Sequence, residues 1–558
     1  MKKQLPYGLS DYFRIQKDNY YFVDKTHFIE KLENRGNYLI FFRPKRFGKS
    51  FLVSMLEAYY DKALKKQFRS YFRDTYISHK FQKNKSSFYI LKFNFSEIGV
   101  DNFNKEFDFY LNLVLSSFIN KYKLDIELSE NPIELLNNII EYFKTHNDFK
   151  LFVIIDEYDS FTNQLLFDKS SSYEEFITHL KDIKEFVKLI RAGITETNAP
   201  IKKLFITGNT PITLFDIVND FQLLENISLE KEFNDLVGFN QKEIDDMLEY
   251  YDISSECKDI LKEWYGGYKF NPYAKNVYNP NMVLYFIKHY LASRHLPNEM
   301  LDMNNVIHYE KFNDLLFSKN SLNENFEIIH KLLANSEIEV EKILEQFGGR
   351  ELQDGTKFIS LFFYFGFFTI KKKEMELVLS IPNEEIKKII FNYMNNFLNT
   401  TKLLSIDNYA LQNHLKDFAN NGSLEIFKYI SNEIKNSYLN DYTFNRDNIK
   451  AIYRTFLGLS DLYLIKTPKE LNKEKFSDVF LKPFNDKVLY FGIVNIIHIP
   501  KQDKLDKTKI DLIITEETEM LNLIEYDEDI KFFLNQGKQF LKINLVFYGN
   551  ELVSLKLV

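Results

Sequence analysis

Runs of apolar residues closed by small or acidic ones recur through the first part of the chain. Leu151-Phe152-Val153-Ile154-Ile155 passes directly into Asp156-Glu157-Tyr158-Asp159, Leu204-Phe205-Ile206 ends in Thr207-Gly208-Asn209, and Tyr38–Phe42 is as apolar but passes into the basic Arg43-Pro44-Lys45-Arg46. An unbroken apolar run of that length predicts a strand buried on both faces. Phe88 to Phe95 predicts a further strand of mixed pattern. Between these runs the period changes. Phe51, Leu52, Met55, Leu56 and Tyr59 recur at helical spacing, as do Leu135, Leu136, Ile139, Ile140 and Phe143, and residues 173–197 predict another helix. Strands alternating with helices over residues 36–230 indicate an α/β fold with a parallel sheet and crossover helices. In open sheets of that kind ligands sit at the C-terminal edge, where Asp156 and Glu157 fall.

The flanking segments are less regular. Within a lead-in of residues 1–35, Tyr20-Tyr21-Phe22-Val23 predicts a short strand, and Phe28, Ile29 and Leu32 follow at helical spacing. Asp24 or Thr26 suits a helix N-cap; a place beside a nucleotide base is the other reading of this segment. From about residue 236 the pattern turns helical. Asn240 and Glu243 form a capping box ahead of Ile244, Met247 and Leu248. Trp264-Tyr265-Gly266-Gly267-Tyr268 interrupts the run, and Tyr278-Asn279-Pro280 opens a new helix. Residues 300–350 read as helical, Leu361 to Ile370 as an aromatic-rich segment, and Ile381-Pro382-Asn383-Glu384-Glu385 as the start of a helix through Met394. After a helix at 425–437, strand patterns return at Val479–Leu481, Val488–Ile499, Ile510–Ile514 and Ile543–Phe547. The resulting division is a lead-in (1–35), an α/β core (36–235), a helical lid (236–300), a mainly helical connecting region (301–424) and a C-terminal α/β domain (425–558).

Composition narrows the classes. The 558 residues are 45% hydrophobic and 16% aromatic, enough for several cores, and the net charge of −7 gives no electrostatic case for non-specific nucleic-acid binding by the whole molecule. One cysteine, Cys257, excludes an intrachain disulfide and fits a reducing compartment. The N-terminus lacks the apolar run of a signal peptide, and no apolar run is long enough to span a bilayer. The expectation is a cytoplasmic protein with no membrane partner.

The loop Arg43-Pro44-Lys45-Arg46-Phe47-Gly48-Lys49-Ser50 joins a predicted strand to a predicted helix. Gly48-Lys49-Ser50 is the tail of a P-loop signature, in which backbone N–H groups and a helix N-terminus hold phosphate oxygens. Lys49 would reach the β/γ-phosphates and Ser50 would ligate Mg²⁺. A first-position glycine is replaced by Arg43. Asp156 is placed to hold the Mg²⁺ from the strand tip, and Glu157 to polarise an attacking water as general base. Thr207 and Asn209 can sense a γ-phosphate, or can be only a turn. Arg43, Lys45 and Arg46 can neutralise phosphate or contact a partner. No zinc-type spacing and no G-x-S-x-G occurs, and the ten histidines are scattered. His498 reads as a strand residue rather than a catalyst.

These residues resemble the bacterial AAA-ATPase-like proteins that carry a C-terminal domain of the PD-(D/E)XK nuclease superfamily. Leu5-Pro6-Tyr7-Gly8 and Tyr21-Phe22-Val23-Asp24-Lys25-Thr26 resemble that family's N-terminal pattern. Residues 43–50 resemble its modified P-loop, where arginine at the first position is usual, and Ile155-Asp156-Glu157-Tyr158-Asp159 resembles its Walker B string. Phe205-Ile206-Thr207-Gly208 resembles its sensor strand, although Asn209-Thr210-Pro211 replaces the usual valine-serine-arginine. Trp264–Tyr268 is similar to its Trp-Tyr-Asp-Gly-Tyr with glycine for the acid; Tyr278-Asn279-Pro280, Ser360–Thr369 and Ile381-Pro382-Asn383 also fit.

The resemblance implies a P-loop NTPase sheet with a helical lid, an ATP site over residues 43–50 with Thr207, Mg²⁺ between Ser50 and Asp156, and Glu157, Lys49 and Asn209 as catalytic groups. It weakens at the C-terminus. A nuclease of this type needs a helix Glu, a strand Asp and E-x-K on the next strand. Here Ser477-Asp478-Val479 offers the Asp, Asn495 and Ile497 stand in place of E-x-K, and Lys450 stands near the Glu position. The expectation is a nuclease-like domain without its metal site, with Gln536-Gly537-Lys538 as a helix that can face a nucleic-acid backbone or equally be a solvated surface. The expected function is an ATPase coupled to that domain, whose partner is a nucleic acid or a protein; oligomers are compatible with it. Two alternatives stand beside it: a nucleotide-gated regulatory module without turnover, and an active nuclease using Asp511 or Glu525.

Overall fold

The computed structural model describes residues 2–80, 84–99, 103–146, 148–160, 173–196, 198–212, 223–302, 322–347, 355–372, 376–437, 445–467, 478–484, 486–501, 507–522 and 528–558. Their contacts divide the chain into two units, Met1–Asp302 with Val340–Leu377, and Met303–Glu339 with Val378–Val558. The 301–424 segment read as one connecting region is therefore shared between the two.

In the first unit the apolar runs become a five-stranded, all-parallel sheet. Its strands are β1 (Tyr38–Phe42), β2 (Tyr89–Asn94), β3 (Leu151–Asp156), β4 (Ile201–Gly208) and β5 (Glu225–Asn226), in the order β2-β3-β4-β1-β5. Every residue of β3 is buried, as expected of a strand covered on both faces. The register sets the tips level. Phe42 lies beside Gly208, Asn94 beside Asp156, and Ile155 beside Ile206. The loop after β1, the acids ending β3 and the residues after β4 therefore emerge at one edge.

The helices of this unit include α1 (Tyr12–Lys17), α2 (His27–Arg35), α3 (Lys49–Tyr60), α4 (Phe68–Phe72), α5 (Phe103–Tyr122) and α6 (Pro132–Thr145). The helices of the 236–300 region run Gln241–Tyr250, Glu256–Tyr265 and Pro280–Ser293. The capping box forms as predicted: Asn240 accepts from the Glu243 N–H, and Glu243 accepts from the Asn240 N–H. Tyr20–Val23 is not a strand. The Tyr21 N–H donates to the Gln4 carbonyl at 2.8 Å, and the segment's apolar side chains line a cavity instead. The aromatic-rich segment Leu361–Ile370 begins as the end of a helix, Gly355–Tyr364, then turns and enters a strand at Thr369, and it backs the loop after β1. A Cβ on Gly366 would meet Pro44 Cγ at 2.9 Å, and Tyr364 meets Phe42 edge-on at 5.9 Å. Short strands lie before that helix, β6 (Glu337–Val340), and after it, β7 (Thr369–Lys372) and β8 (Leu377–Ser380); residues 337–339 and 378–380 of these belong to the second unit.

The second unit contains β9 (Tyr463–Lys466), β10 (Val479–Pro483), β11 (Tyr490–Ile499), β12 (Gln539–Tyr548) and β13 (Glu551–Leu557). Their order is β13-β12-β11-β10-β9, with β11 and β12 parallel and the other pairs antiparallel. Ile510–Ile514, expected as a strand, belongs to the helix Lys507–Asn522. Ile510, Ile513 and Ile514 share one helical face and pack on Ile497, Ile499 and Val546. Gln536-Gly537-Lys538 is likewise no helix. The preceding helix ends at Asn535, Gly537 takes φ +80°, and the buried Lys538 ammonium donates to the Val488 carbonyl at 2.7 Å. Ser477 and Glu525 lie outside the described residues.

Candidate functional site

A cavity of about 470 Å³ opens over the loop after β1, within the usual size of small-molecule sites, roughly 300–1,000 Å³. Gly48, Lys49 and Ser50 form part of its wall, together with Glu157. Apolar walls come from Tyr21, Phe22 and Val23 of the lead-in, and from Val237, Met247 and Leu284 of the lid region.

The loop's shape follows from two left-handed residues, Arg46 at φ +66° and Gly48 at φ +101°. A Cβ on Gly48 would meet nothing within 4 Å, so glycine is needed there for conformation rather than for space. Gly48 is also the N-cap of α3 and offers no side-chain cap. The first-turn N–H groups of α3 are thus the polar ends of a helix facing the cavity wall, a site suited to anions. Phe47 is buried and anchors the loop, edge-on to Tyr268 at 5.0 Å and Phe270 at 5.7 Å; its carbonyl accepts from the Gly238 N–H at 3.1 Å.

Charged groups meet at the sheet edge. The Lys49 ammonium donates to the carbonyls of Arg43 (3.0 Å) and Pro44 (3.2 Å) and to Asn209 Oδ1 (2.9 Å). It also lies 3.6 Å from Glu157 Oε1. Asn209 Nδ2 donates to Glu157 Oε2 at 2.9 Å, so one amide bridges the cation and the acid. Glu157 itself is left-handed, at φ +51°. Behind it, the Asp156 carboxylate accepts from the Glu157 N–H at 3.0 Å, with the Ser50 hydroxyl near enough to pull its pKa down. Burial, and secondarily the neighbouring Glu157 charge, push its pKa up to about 6 against the pull of Ser50 and Lys49.

The residues singled out from sequence thus fall into three groups. Lys49, Ser50, Asp156, Glu157 and Asn209 are brought together, with Asp156 and Asn209 one hydrogen bond behind the cavity wall. Gly48 and Arg46 line the cavity, Lys45 is exposed, and Pro44 is covered by the 366 turn. Arg43 and Thr207 point elsewhere. The Arg43 guanidinium is fully buried, donating to the carbonyls of Phe42 (2.9 Å), Ser228 (2.6 Å) and Phe233 (3.0 Å) between the rings of Phe41 and Phe270. Burial lowers its pKa to about 9. Thr207 is fully buried, outside the cavity lining, and its hydroxyl has no hydrogen-bond partner among the described residues.

Two clusters were not foreseen. Asp302 accepts from the Tyr7 hydroxyl at 2.8 Å and lies 3.7 Å from Arg46, which ties the first residues to the loop. Asp159 accepts from the backbone after β4. The first had no local signal, being separated by hundreds of residues; the second lay in the acidic string but was overshadowed by Asp156 and Glu157.

The family described as "Predicted AAA-ATPase" matches residues 6–218, which include the loop, both acidic positions and the β4 tip. An uncharacterized protein from the vnfD 5' region of Azotobacter chroococcum mcd 1 is 23% identical over 291 residues, 51% of this chain and 52% of that protein. The chain spans about half the length of that curated relative. Among solved structures, the ORC2 protein of Aeropyrum pernix is 10% identical with a TM-score of 0.34, covering 70% of this chain and 98% of that one. Cdc6p from Pyrobaculum aerophilum is 13% identical with a TM-score of 0.23, covering 66% and 91%. Scores this low transfer neither fold nor activity. The family match and the loop geometry agree: residues 6–218 are similar to that family, and the loop within them has the form of a P-loop leading into a helix.

Proposed function

We propose that this chain binds ATP with Mg²⁺ over residues 43–50 and hydrolyses it, Glu157 serving as general base. The observation that carries the reading is the joining of Lys49, Asn209 and Glu157 at one cavity, with Ser50 at the start of α3 near enough to the Asp156 carboxylate to pull its pKa down. A hydroxyl and a carboxylate make an all-oxygen donor set, which suits a hard cation. The raised Asp156 pKa marks a buried acid that a divalent cation would stabilise in its charged form. Ser50 and Asp156 would hold Mg²⁺, which supplies charge neutralisation at phosphate oxygens.

The chain's own residues supply the rest. The first-turn amides of α3 and Lys49 bind and orient the phosphates. Glu157, at the cavity wall, takes the proton of the attacking water. Asn209 orients Glu157 through its amide. Tyr21, Phe22 and Val23 give an apolar seat for the base and exclude water from it. Arg43 supports the loop from below through backbone carbonyls.

The test is steady-state ATP hydrolysis by the wild type, Lys49→Ala and Glu157→Gln, with and without DNA or RNA. Lys49→Ala should abolish ATP binding. Glu157→Gln should keep binding and lower kcat by roughly 10²–10⁴-fold, the usual worth of a general base. Equal turnover by Glu157→Gln and wild type would remove Glu157 from the mechanism. A nucleotide-gated binder without turnover is the second reading. It is favoured by the same Asn209 bond and Lys49 proximity, which hold Glu157 as a compensated acid.

In the second unit we propose a nuclease-like domain that has exchanged its metal for side-chain cations and serves to engage a nucleic acid or protein. Asp478 is nearly buried, and its carboxylate accepts from Arg446 at 3.0 Å and from the Ile496 N–H at 2.8 Å, with Lys450 at 3.0 Å. Lys450 sits on the helix Arg446–Gly458. Asn495 pairs with Asn544 at 3.3 Å and Ile497 is in the core. Asp511 is exposed on its helix. Among the described residues no three His, Cys, Asp or Glu side chains are grouped to hold a metal, and no helix is long and apolar enough to cross a membrane.

A further inference from the structure

The third acid of the 156–159 string does not line the cavity, yet it is fully buried at the same sheet edge. Asp159 collects three donors from two successive residues. The Asn209 N–H lies 3.0 Å from Oδ1 and 3.2 Å from Oδ2, the Thr210 N–H 2.8 Å from Oδ2, and the Thr210 hydroxyl 2.9 Å from Oδ2. Its neighbour grips the same segment from the other side. The Tyr158 N–H donates to the Thr207 carbonyl at 3.1 Å, and the Tyr158 hydroxyl lies 2.5 Å from the Thr210 carbonyl and 2.9 Å from that of Ile212.

Gly208 permits this grip. A Cβ there would lie 2.5 Å from Asp159 Oδ1 and 2.6 Å from the Tyr158 ring, closer than side chains tolerate. The φ of Gly208 is ordinary enough not to be among the positive ones, so glycine is required here for space. Burying a carboxylate is costly unless its hydrogen bonds secure something. What these secure is the backbone of Asn209, whose side chain then has only its own two torsions left to set. That side chain is the bridge between Lys49 and Glu157 at 2.9 Å on each side.

We propose that Asp159 is a positioning residue for hydrolysis. It touches no nucleotide; it fixes the Asn209 backbone, and through the Asn209 amide it sets where the Glu157 carboxylate stands relative to Lys49. The proposal rests on the ATPase reading of the site and adds the residue that aligns its base.

The experiment is a double-mutant cycle on the full chain, with kcat, KM and equilibrium ATP binding measured for wild type, Asp159→Asn, Asn209→Ala and the double variant. Asp159→Asn keeps the shape but presents an N–H where donors converge. It should bind ATP within about threefold of wild type and lose at least about tenfold in kcat, the pattern of a lost transition-state alignment rather than of lost binding. In the Asn209→Ala background the same change should lower kcat no further, since the two residues act in series. Gly208→Ala presses on the same contact from the opposite side. It should show the same kcat loss and the same lack of effect beside Asn209→Ala, and it carries the test if Asp159→Asn does not fold. Losses that multiply in the double variants, an unchanged kcat, or a raised KM at constant kcat would each overturn the proposal. Wild type without turnover would sink the ATPase reading and this proposal together, whereas active wild type with fully active Asp159→Asn would sink the proposal alone.

Discussion

Arg43 stands where a P-loop pattern expects glycine, and the structure gives it a task that a mutation can isolate. Its guanidinium spans three carbonyls on different segments, those of Phe42, Ser228 and Phe233. Arg43→Lys keeps the charge but gathers the donors at one point, which cannot bridge that spread. At least two hydrogen bonds from a charged donor would go, each worth about 1.5–3 kcal/mol. Partial re-pairing of the ammonium and its remaining contact with the Phe41 and Phe270 faces return some of this, about 1–2 kcal/mol. The net cost is about 2–4 kcal/mol. With an m-value of roughly 2 kcal/mol/M, the urea midpoint should fall by about 1–2 M. The assay is urea unfolding followed through the transition that ATP shifts, since a chain of two units need not unfold in one step. ATP affinity of the folded variant should stay within about threefold of wild type, under 1 kcal/mol, because the guanidinium does not face the cavity. A wild-type midpoint combined with tenfold weaker ATP binding would refute the reasoning and return Arg43 to the phosphates.

Gly48→Ala should weaken ATP binding at least about tenfold and cost about 1–2 kcal/mol of stability, because φ +101° is foreign to alanine although nothing crowds its Cβ; calorimetry with ATP would measure it, and unchanged affinity would remove the loop from the site. In the second unit, Glu384 is buried; its pKa, which burial alone would raise, is held down to about 2 by Lys387 (2.8 Å) and Lys466 (2.7 Å). Its folded pKa is below its unfolded one, so this stabilisation is complete above about pH 4.5 and is lost as pH falls towards 2. Glu384→Gln should destabilise the unit by about 3–5 kcal/mol at neutral pH, through loss of the carboxylate that both ammonium groups share, and should flatten its acid unfolding curve over that window; an unchanged curve would show that the pair contributes nothing. Neither wild type nor Lys450→Met should cleave plasmid or single-stranded DNA with Mg²⁺ or Mn²⁺, and cleavage abolished by Asp478→Ala would restore a metal site to this unit.

How far the sequence could be read depended on how local each cause was. The β1 and β3 runs, the Asn240 capping box and the Asn279-Pro280 helix start are all set by neighbours within a few residues, and each formed where its pattern placed it. Ile510–Ile514 failed because a short apolar run satisfies strand and helix alike; what chose the helix was the apolar patch of Ile497, Ile499 and Val546, contributed by two distant strands. Tyr20–Val23 has the composition of a strand, but the same apolar side chains serve the wall of a cavity whose other side comes from residues more than two hundred positions away. The same division holds within the site. Ser50 and Asp156 could be paired from type and order, since a hydroxyl at a helix start and an acid at a strand tip have few other uses together. Arg43 could not be assigned in that way. In a basic loop every cation looks like a phosphate ligand, and only the placement of Ser228 and Phe233 carbonyls beneath it shows a cation spent on the backbone. Lys450 makes the converse case. Its place near an expected acid reads as a loss, whereas in the structure it pairs with Asp478 at 3.0 Å. On the reading proposed for the second unit, that ammonium would supply the charge a metal would bring, and Asp478 would serve as a structural group.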